Sequence, residues 1–168
     1  GWIYFDGTRD TDLEEHLYRV KLAGGAVERL SEPGFTHGVV FNKQLTKWFD
    51  TFHNITTPPK VHLRDAEGRL LRVVSANEVA ELDEYDLVEP EFHKAPADNG
   101  FLMNLMVLRP RNVAAGAKLP VMMETYSGPH APCVGNRWYG AGYLYHQMLV
   151  QQGYMVVLVD PESASGRG

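Results

Sequence analysis

Residues 119–126 read LPVMMETY and residues 143–160 read YLYHQMLVQQGYMVVLVD, and these two stretches decide the fold of the second half of the chain. The run Tyr154–Val159 is continuously apolar, as expected of a strand buried on both faces of a parallel sheet. Residues 139–152 have the length of a helix, and Gly153 suits the left-handed position after its end. The helix is expected to have one apolar face, formed by Ala141, Leu144, Tyr145, Met148 and Leu149.

Strand, helix and strand in this order predict a βαβ unit. The first strand is expected to be mostly buried and to end at Tyr126, and Asp160 directly follows the second strand. In open α/β sheets, chemistry occurs at the carboxyl ends of the strands. Upstream, Glu91–Lys94 and Phe101–Leu108 predict an antiparallel pair that is joined through residues 96–100.

The first half of the chain predicts β-structure with an internal repeat. Short apolar or alternating runs predict strands at Trp2–Phe5, His16–Leu22, Val39–Phe41, Lys47–Phe52, Lys60–Arg64 and Leu70–Val74. The stretches that begin at Trp2 and His16 resemble those that begin at Trp48 and His62, an offset of roughly 44 to 46 residues that is typical of propeller blades. A closed propeller needs about four to eight blades. Either residues 1–74 are part of a longer chain, or the repeat is a coincidence.

A linker is expected between the two halves. Ser75 and Glu78 have the spacing of a capping box. A short acidic helix should follow, with Val79 and Leu82 on one face, and it should end near Tyr85.

Composition excludes several classes of protein. The chain has 168 residues, of which 44% are hydrophobic and 22% charged, a globular balance. Its net charge of −5 disfavours nucleic acid as a partner, because phosphate binding needs a basic face. Cys133 is the only cysteine, so no internal disulfide can form. Cys133 and His130 do not make a metal site by themselves, and we expect neither a metal nor a cofactor. The first residues lack the features of a signal peptide, although this start need not be the natural one.

Several ordered segments resemble the dipeptidyl peptidase IV branch of the prolyl oligopeptidase family. Tyr126-Ser127-Gly128-Pro129 resembles the Tyr-Gly/Ala-Gly-Pro segment of that family. The other similar segments are Ile3–Phe5 with His16–Val20, Phe35–His37 with Val40–Phe41 and Thr57–Pro59, Tyr143–Leu149 with Gly153–Tyr154, and Ser165–Gly168. The likeness covers nearly the whole chain.

The resemblance implies a mixed fold, with an all-β propeller portion followed by the N-terminal part of an α/β-hydrolase domain, both incomplete. Residues 1–74 would be the C-terminal blades, 75–88 a linker with a short helix, and 89–168 the start of the catalytic domain. The parent protein would be a serine exopeptidase that releases N-terminal dipeptides, with Pro or Ala preferred in the second position. Its partners would be peptides with a free N-terminus, further copies of itself and the remainder of the parent chain. The resemblance favours a periplasmic or secreted parent protein, and a cytoplasmic one stays open as the alternative.

Tyr126 is the one catalytic candidate in this chain. It matches the family tyrosine whose hydroxyl helps to form the oxyanion hole. From the residues alone, a tyrosine that caps the sheet edge is the preferred interpretation, and the resemblance shifts the preference to the oxyanion role. No serine lies in a Gly-x-Ser-x-Gly elbow, and the acid and histidine of an α/β-hydrolase follow the nucleophile, so the triad is expected outside this chain. We do not assemble a triad from Ser127, His130 and Asp160.

Two departures from the family pattern motivate a second hypothesis. Ser127 and His130 stand where the family usually has small residues. The family loop Asp-x-Arg-Gly is replaced by Asp160-Pro161-Glu162-Ser163, which reverses one charge. An alternative is therefore a non-catalytic relative that binds peptides or proteins. A third interpretation is a self-contained interaction module.

Other conspicuous side chains have simpler interpretations. Three histidines are expected in or beside blade strands, namely His37, His53 and His62. Four aromatic residues are expected to pack a helix rather than to bind a ligand, namely Trp138, Tyr139, Tyr143 and Tyr145.

Overall fold

A computed structural model describes residues 1–126, 128 and 131–164. The chain divides into two compact units. The first unit contains Gly1–Val79 together with Asn136–Trp138, and the second contains Ala80–Gly135 and the described residues from Tyr139 onward. In the part of the chain that is described, no helix is long and apolar enough to cross a membrane.

The first unit consists of two antiparallel sheets. One has the strand order β1-β2-β3 and the other the order β4-β5-β6-β7. The strands are β1 (Trp2–Gly7), β2 (His16–Lys21), β3 (Glu28–Arg29), β4 (Thr36–Phe41), β5 (Lys47–His53), β6 (Lys60–Asp65) and β7 (Leu70–Ser75). A four-stranded antiparallel meander is the strand order of a propeller blade.

The repeat predicted from the sequence corresponds to strands at equivalent positions in the two sheets. β1 and β5 begin at or next to Trp2 and Trp48, and β2 and β6 contain His16 and His62. In both sheets the first of these strands pairs with the second in antiparallel register. The three-stranded sheet therefore matches the last three strands of the four-stranded one.

The two sheets pack against each other through aromatic and buried polar side chains. The rings of Tyr4 and Phe41 lie 4.7 Å apart. Alternation along β5 directs Trp48, Asp50 and Phe52 into the core. The carboxylate of Asp50 accepts from Nε of Arg64 at 2.7 Å and lies 2.7 Å from Nδ1 of His37. These three buried polar side chains are thus partnered with one another, which offsets the cost of burying them.

In its described residues the second unit contains a mixed sheet, one α-helix and a short 3₁₀ helix. The sheet order is β10-β11-β9-β8, with β10 and β11 parallel and the other pairs antiparallel. The elements are β8 (Glu91–Pro96), β9 (Leu102–Leu108), β10 (Val121–Glu124), α1 (Ala141–Gln151) and β11 (Met155–Val159). The predicted βαβ unit and the predicted β8–β9 hairpin are both present.

The predicted capping box at Ser75 is wrong. Ser75 is the last residue of β7 and pairs with Val61, so it cannot cap a helix. Asn77 then has a positive φ of 43°, which keeps the chain out of a right-handed helix. The only helical turn here is a 3₁₀ helix at Ala80–Glu84, which buries none of its residues.

The predicted apolar face of α1 is also wrong. The buried residues are Tyr143, His146, Gln147 and Val150, which lie at i, i+3, i+4 and i+7. Leu144, Tyr145 and Met148, from the predicted face, are exposed. The physical reason is hydrogen bonding, since Gln147 donates to the carbonyl of Val88 and accepts from its N–H, both at 2.8 Å. Satisfying these buried backbone groups turns the polar residues inward.

Strand β10 is less buried than its sequence predicts. Val121 is 52% and Met123 66% exposed. β10 is the outer strand of its sheet and pairs only with β11. Its outward-facing residues therefore lack a covering layer within the described part of the chain.

Candidate active site at the end of strand β10

Tyr126 lies two residues beyond the end of β10, and its side chain is 55% exposed. Its ring rests on the backbone of Gly128. A β-carbon at Gly128 would collide with Cε1 of Tyr126 and would lie 3.0 Å from its hydroxyl oxygen. Only glycine leaves room for this ring position, and the half-exposed phenol lies beyond the end of β10.

Glu124 connects this edge of the sheet to the helix. It is the last residue of β10, and its Oε2 lies 2.9 Å from Nε2 of His146 on α1. The side chain of His146 is 5% exposed, whereas that of Glu124 is 46% exposed. The carboxylate thus reaches inward from the edge next to Tyr126.

Asp160 anchors the loop that precedes α1. Its buried carboxylate accepts hydrogen bonds from the backbone N–H groups of Cys133 at 2.6 Å and Val134 at 3.1 Å. Its own N–H donates to the carbonyl of Asn104 at 3.0 Å. The hydroxyl of Tyr139 donates to the carbonyl of Cys133 at 2.5 Å. Asp160 therefore organises backbone structure at the carboxyl end of β11.

The thiol of Cys133 is partly buried and donates to a backbone carbonyl. Burial raises the pKa of its thiol to about 11, and the nearby carboxylates of Asp160 and Glu124 also raise that pKa, while a hydrogen bond with the Tyr126 backbone lowers it. The thiol donates to the carbonyl of Val159 at 3.3 Å. No group of three or more potential metal ligands occurs among the described residues. His130, the other metal candidate, lies outside them.

The altered loop after β11 carries an exposed carboxylate. Oε2 of Glu162 accepts from Nδ2 of Asn99 at 2.9 Å, and Asn99 lies in the turn between β8 and β9. The remaining sequence-predicted positions, Ser127, Pro129 and Ser165–Gly168, lie outside the described residues.

Asn136 is a residue that the sequence did not single out. It lies in the segment Asn136–Trp138, which belongs to the first unit. Its side chain donates to Glu14 at 2.7 Å and to the carbonyl of Gly34 at 3.1 Å, and it accepts from the N–H of Ile55 at 3.2 Å. Its backbone N–H donates to Leu13 at 2.7 Å. All these partners are distant in sequence, so no local pattern could have identified it.

His53 accepts a hydrogen bond from the same segment. The backbone N–H of Trp138 donates to Nδ1 of His53 at 3.0 Å. Burial lowers the pKa of His53, and the charge of Arg137 lowers it further. Both observations fit a neutral ring whose Nδ1 carries no hydrogen and accepts this bond. His37, His53 and His62 lie in the strands β4, β5 and β6, as the sequence predicted.

A serine, a histidine and a glutamate also come together in the first unit, but they do not form a catalytic site. Nδ1 of His16 lies 2.9 Å from Oγ of Ser31, and its Nε2 lies 3.0 Å from Glu14. Oγ of Ser31 already accepts from the N–H of Leu17 at 3.1 Å, and both Ser31 and His16 are buried. A serine with no access to a substrate cannot act as a nucleophile. These three side chains therefore satisfy one another within the core.

Comparison with known proteins identifies the chain's relatives. The family profile described as "Dipeptidyl peptidase IV (DPP IV) N-terminal region" matches residues 1–59. Dipeptidyl peptidase 8 of Mus musculus is 29% identical over 174 residues, covering 99% of this chain and 20% of the relative. A probable dipeptidyl-aminopeptidase B of Emericella nidulans is 26% identical, covering 100% of this chain and 18% of the relative. The chain resembles proteins of the dipeptidyl peptidase IV family.

A solved structure matches the fold of the whole chain. The crystal structure of Porphyromonas gingivalis dipeptidyl peptidase 4 matches with a TM-score of 0.91 at 22% identity, covering 100% of this chain and 24% of that one. At this identity the match shows the fold alone. The chain spans about a fifth of the length of the curated relatives that it matches.

Proposed function

We propose that these residues are part of a serine dipeptidyl peptidase that releases N-terminal dipeptides, with Pro or Ala preferred in the second position. The observation that carries the proposal is the placement of Tyr126, with its half-exposed phenol beyond the end of β10, in a chain that is similar throughout to dipeptidyl peptidases. The role of Tyr126 is to donate a hydrogen bond to the oxyanion.

The chemistry is acyl transfer through a covalent intermediate. A serine from another part of the protein attacks the carbonyl carbon of the scissile bond, and the former carbonyl oxygen becomes an oxyanion. The O–H of Tyr126 stabilises that oxygen by donating to it, and the effect is larger in a site from which water is excluded. The amine then leaves, and water hydrolyses the dipeptidyl ester. The oxyanion forms in both steps, so Tyr126 contributes to both.

We infer a corresponding division of the fold. The sheets of the first unit, in residues 1–74, would be C-terminal blades of a propeller, and residues 75–88 would be the linker. Residues 89–168 would begin an α/β-hydrolase domain. The parallel β10–α1–β11 arrangement supports this assignment, because such domains are built from βαβ units.

The test is hydrolysis of a Gly-Pro anilide by the product of the complete reading frame. Tyr126→Phe removes only the hydroxyl and should lower kcat by about 10²–10³-fold, as loss of one oxyanion donor does. The matched control is Tyr154→Phe, which removes a hydroxyl at the start of β11 and should leave kcat unchanged. In the same assay the 168 residues alone should show no turnover. Equal kcat values for Tyr126→Phe and the wild type would contradict the oxyanion role.

A second candidate is a non-catalytic relative that binds peptides or proteins. The observation that favours it is Glu162, a carboxylate held by Asn99 where the resemblance leads us to expect an arginine. On this proposal the complete, folded protein would not hydrolyse the anilide, and a Glu162→Arg change would not restore turnover. Turnover by the wild-type protein would exclude it.

A further inference from the structure

We propose that His146 is a positioning residue for Tyr126, acting through the carboxylate of Glu124. The inference rests on the proposed function, because it assigns to a buried helix residue the task of holding the strand end from which the oxyanion donor projects. His146 does not itself reach the reacting atoms in this proposal. It acts on Glu124, and Glu124 fixes the backbone that leads to Tyr126.

The geometry defines which proton His146 holds. Nε2 lies 2.9 Å from Oε2 of Glu124, and an ionised carboxylate can only accept, so Nε2 carries a hydrogen. Nδ1 is buried and has no hydrogen-bond partner among the described residues. The contact with Glu124 therefore orients the ring, with its Nε2–H towards the carboxylate.

The end of β10 depends on this side-chain contact. Glu124, opposite Leu158, is the last residue of β10 in the register with β11. Beyond it, Thr125 and Tyr126 are not part of a strand. The bond between Glu124 and His146 is thus a side-chain tether two residues from the phenol. A displacement of about 1 Å at a reacting group can lower the rate about 10²-fold. A tether this close to the phenol can therefore affect the rate through the position of the hydroxyl.

Charge gives the contact a second effect. Glu124 and Asp160 both lie close enough to Cys133 to raise its pKa, so two carboxylates are near the backbone of Tyr126. A carboxylate free to turn towards the developing oxyanion would oppose it, because like charges repel. His146 holds one carboxylate against α1, and the backbone N–H groups of Cys133 and Val134 hold the other. Both negative groups are thereby fixed in position.

The experiment is a double-mutant cycle in the complete protein, measured with the Gly-Pro anilide. His146→Leu removes the donor and should lower kcat on the order of tenfold with little change in KM, because ground-state binding of the peptide does not involve the tether. In the Tyr126→Phe background the same change should have almost no further effect, since there is no hydroxyl left to position. His146→Gln, which can place an amide N–H near Glu124, should restore most of the lost kcat.

Controls separate this inference from the proposed function. Gln151→Leu makes a polar-to-leucine change on the exposed end of α1 and should leave kcat unchanged. If Tyr126→Phe itself has no effect, the proposed function fails. A second outcome is that Tyr126→Phe lowers kcat and that His146→Leu lowers kcat by the same factor in the Tyr126→Phe background as in the wild type. That outcome would overturn the positioning inference. Failure of His146→Gln to recover kcat, when its thermal stability equals that of the wild type, would overturn it too.

Discussion

At the scale of single residues, Gly128 is as important to the candidate site as Tyr126. A β-carbon there would collide with the Tyr126 ring. Gly128→Ala should therefore push the ring aside and lower kcat of the complete protein towards the value of Tyr126→Phe, with an unchanged thermal unfolding temperature. Gly142→Ala is the control, because its β-carbon would meet nothing closer than 3.9 Å. A Gly128→Ala enzyme with wild-type kcat would show that the ring position does not matter.

The sequence made Tyr126 a candidate but did not predict its surroundings. Its motif is contiguous, so the resemblance pointed to it directly. Glu124 and His146 are 22 residues apart, and Asn136 and Glu14 are 122 apart. Contacts of this kind depend on how elements pack, and no local spacing encodes them. The reversed charge at Glu162 was visible in the sequence, but its partner Asn99 was not.

At the scale of elements, α1 shows why a correct helix can be given the wrong face. The apolar residues of the helix define a stripe. However, the buried N–H and carbonyl of Val88, which face the helix, need polar partners. Gln147 supplies both bonds and is 2% exposed. Leaving a buried N–H and C=O without partners costs more than exposing a few apolar side chains. Polar satisfaction therefore overrides the hydrophobic period here.

This reasoning predicts the effect of Gln147→Leu. The change preserves side-chain volume but removes the partner of the Val88 N–H, and it leaves the Val88 carbonyl only the hydroxyl of Tyr143 at 3.3 Å. It should therefore destabilise the second unit by about 1–3 kcal/mol. Amide hydrogen exchange of the complete protein should show faster exchange at Val88 and an earlier unfolding transition. Gln151→Leu, the same substitution on the exposed end of α1, should change neither. If the two variants exchanged equally at Val88, the hydrogen bonds would contribute nothing.

At the scale of the whole molecule, the repeat and the βαβ pattern were predictable because each is periodic. The offset between Trp2 and Trp48 matches equivalent strands in two sheets. The short strand β3 was not predicted, because Glu28 and Arg29 carry no apolar alternation. The periodicity does not predict which elements pack against the outer face of each sheet. Those neighbouring elements decide which apolar faces are covered.

The 168 residues in isolation should self-associate. Val40 and Phe49 lie opposite each other in the register of β4 and β5, and both are exposed. All six residues of β7 are exposed, including Val73, and β7 is an edge strand. Uncovered apolar faces and free strand edges favour association. Light scattering should therefore give a mass above that of the monomer, and the double change Val40→Lys and Val73→Lys should lower it. Leu22→Lys, at a lone exposed leucine after β2, should not. A wild-type segment that is monomeric at all concentrations would contradict this prediction.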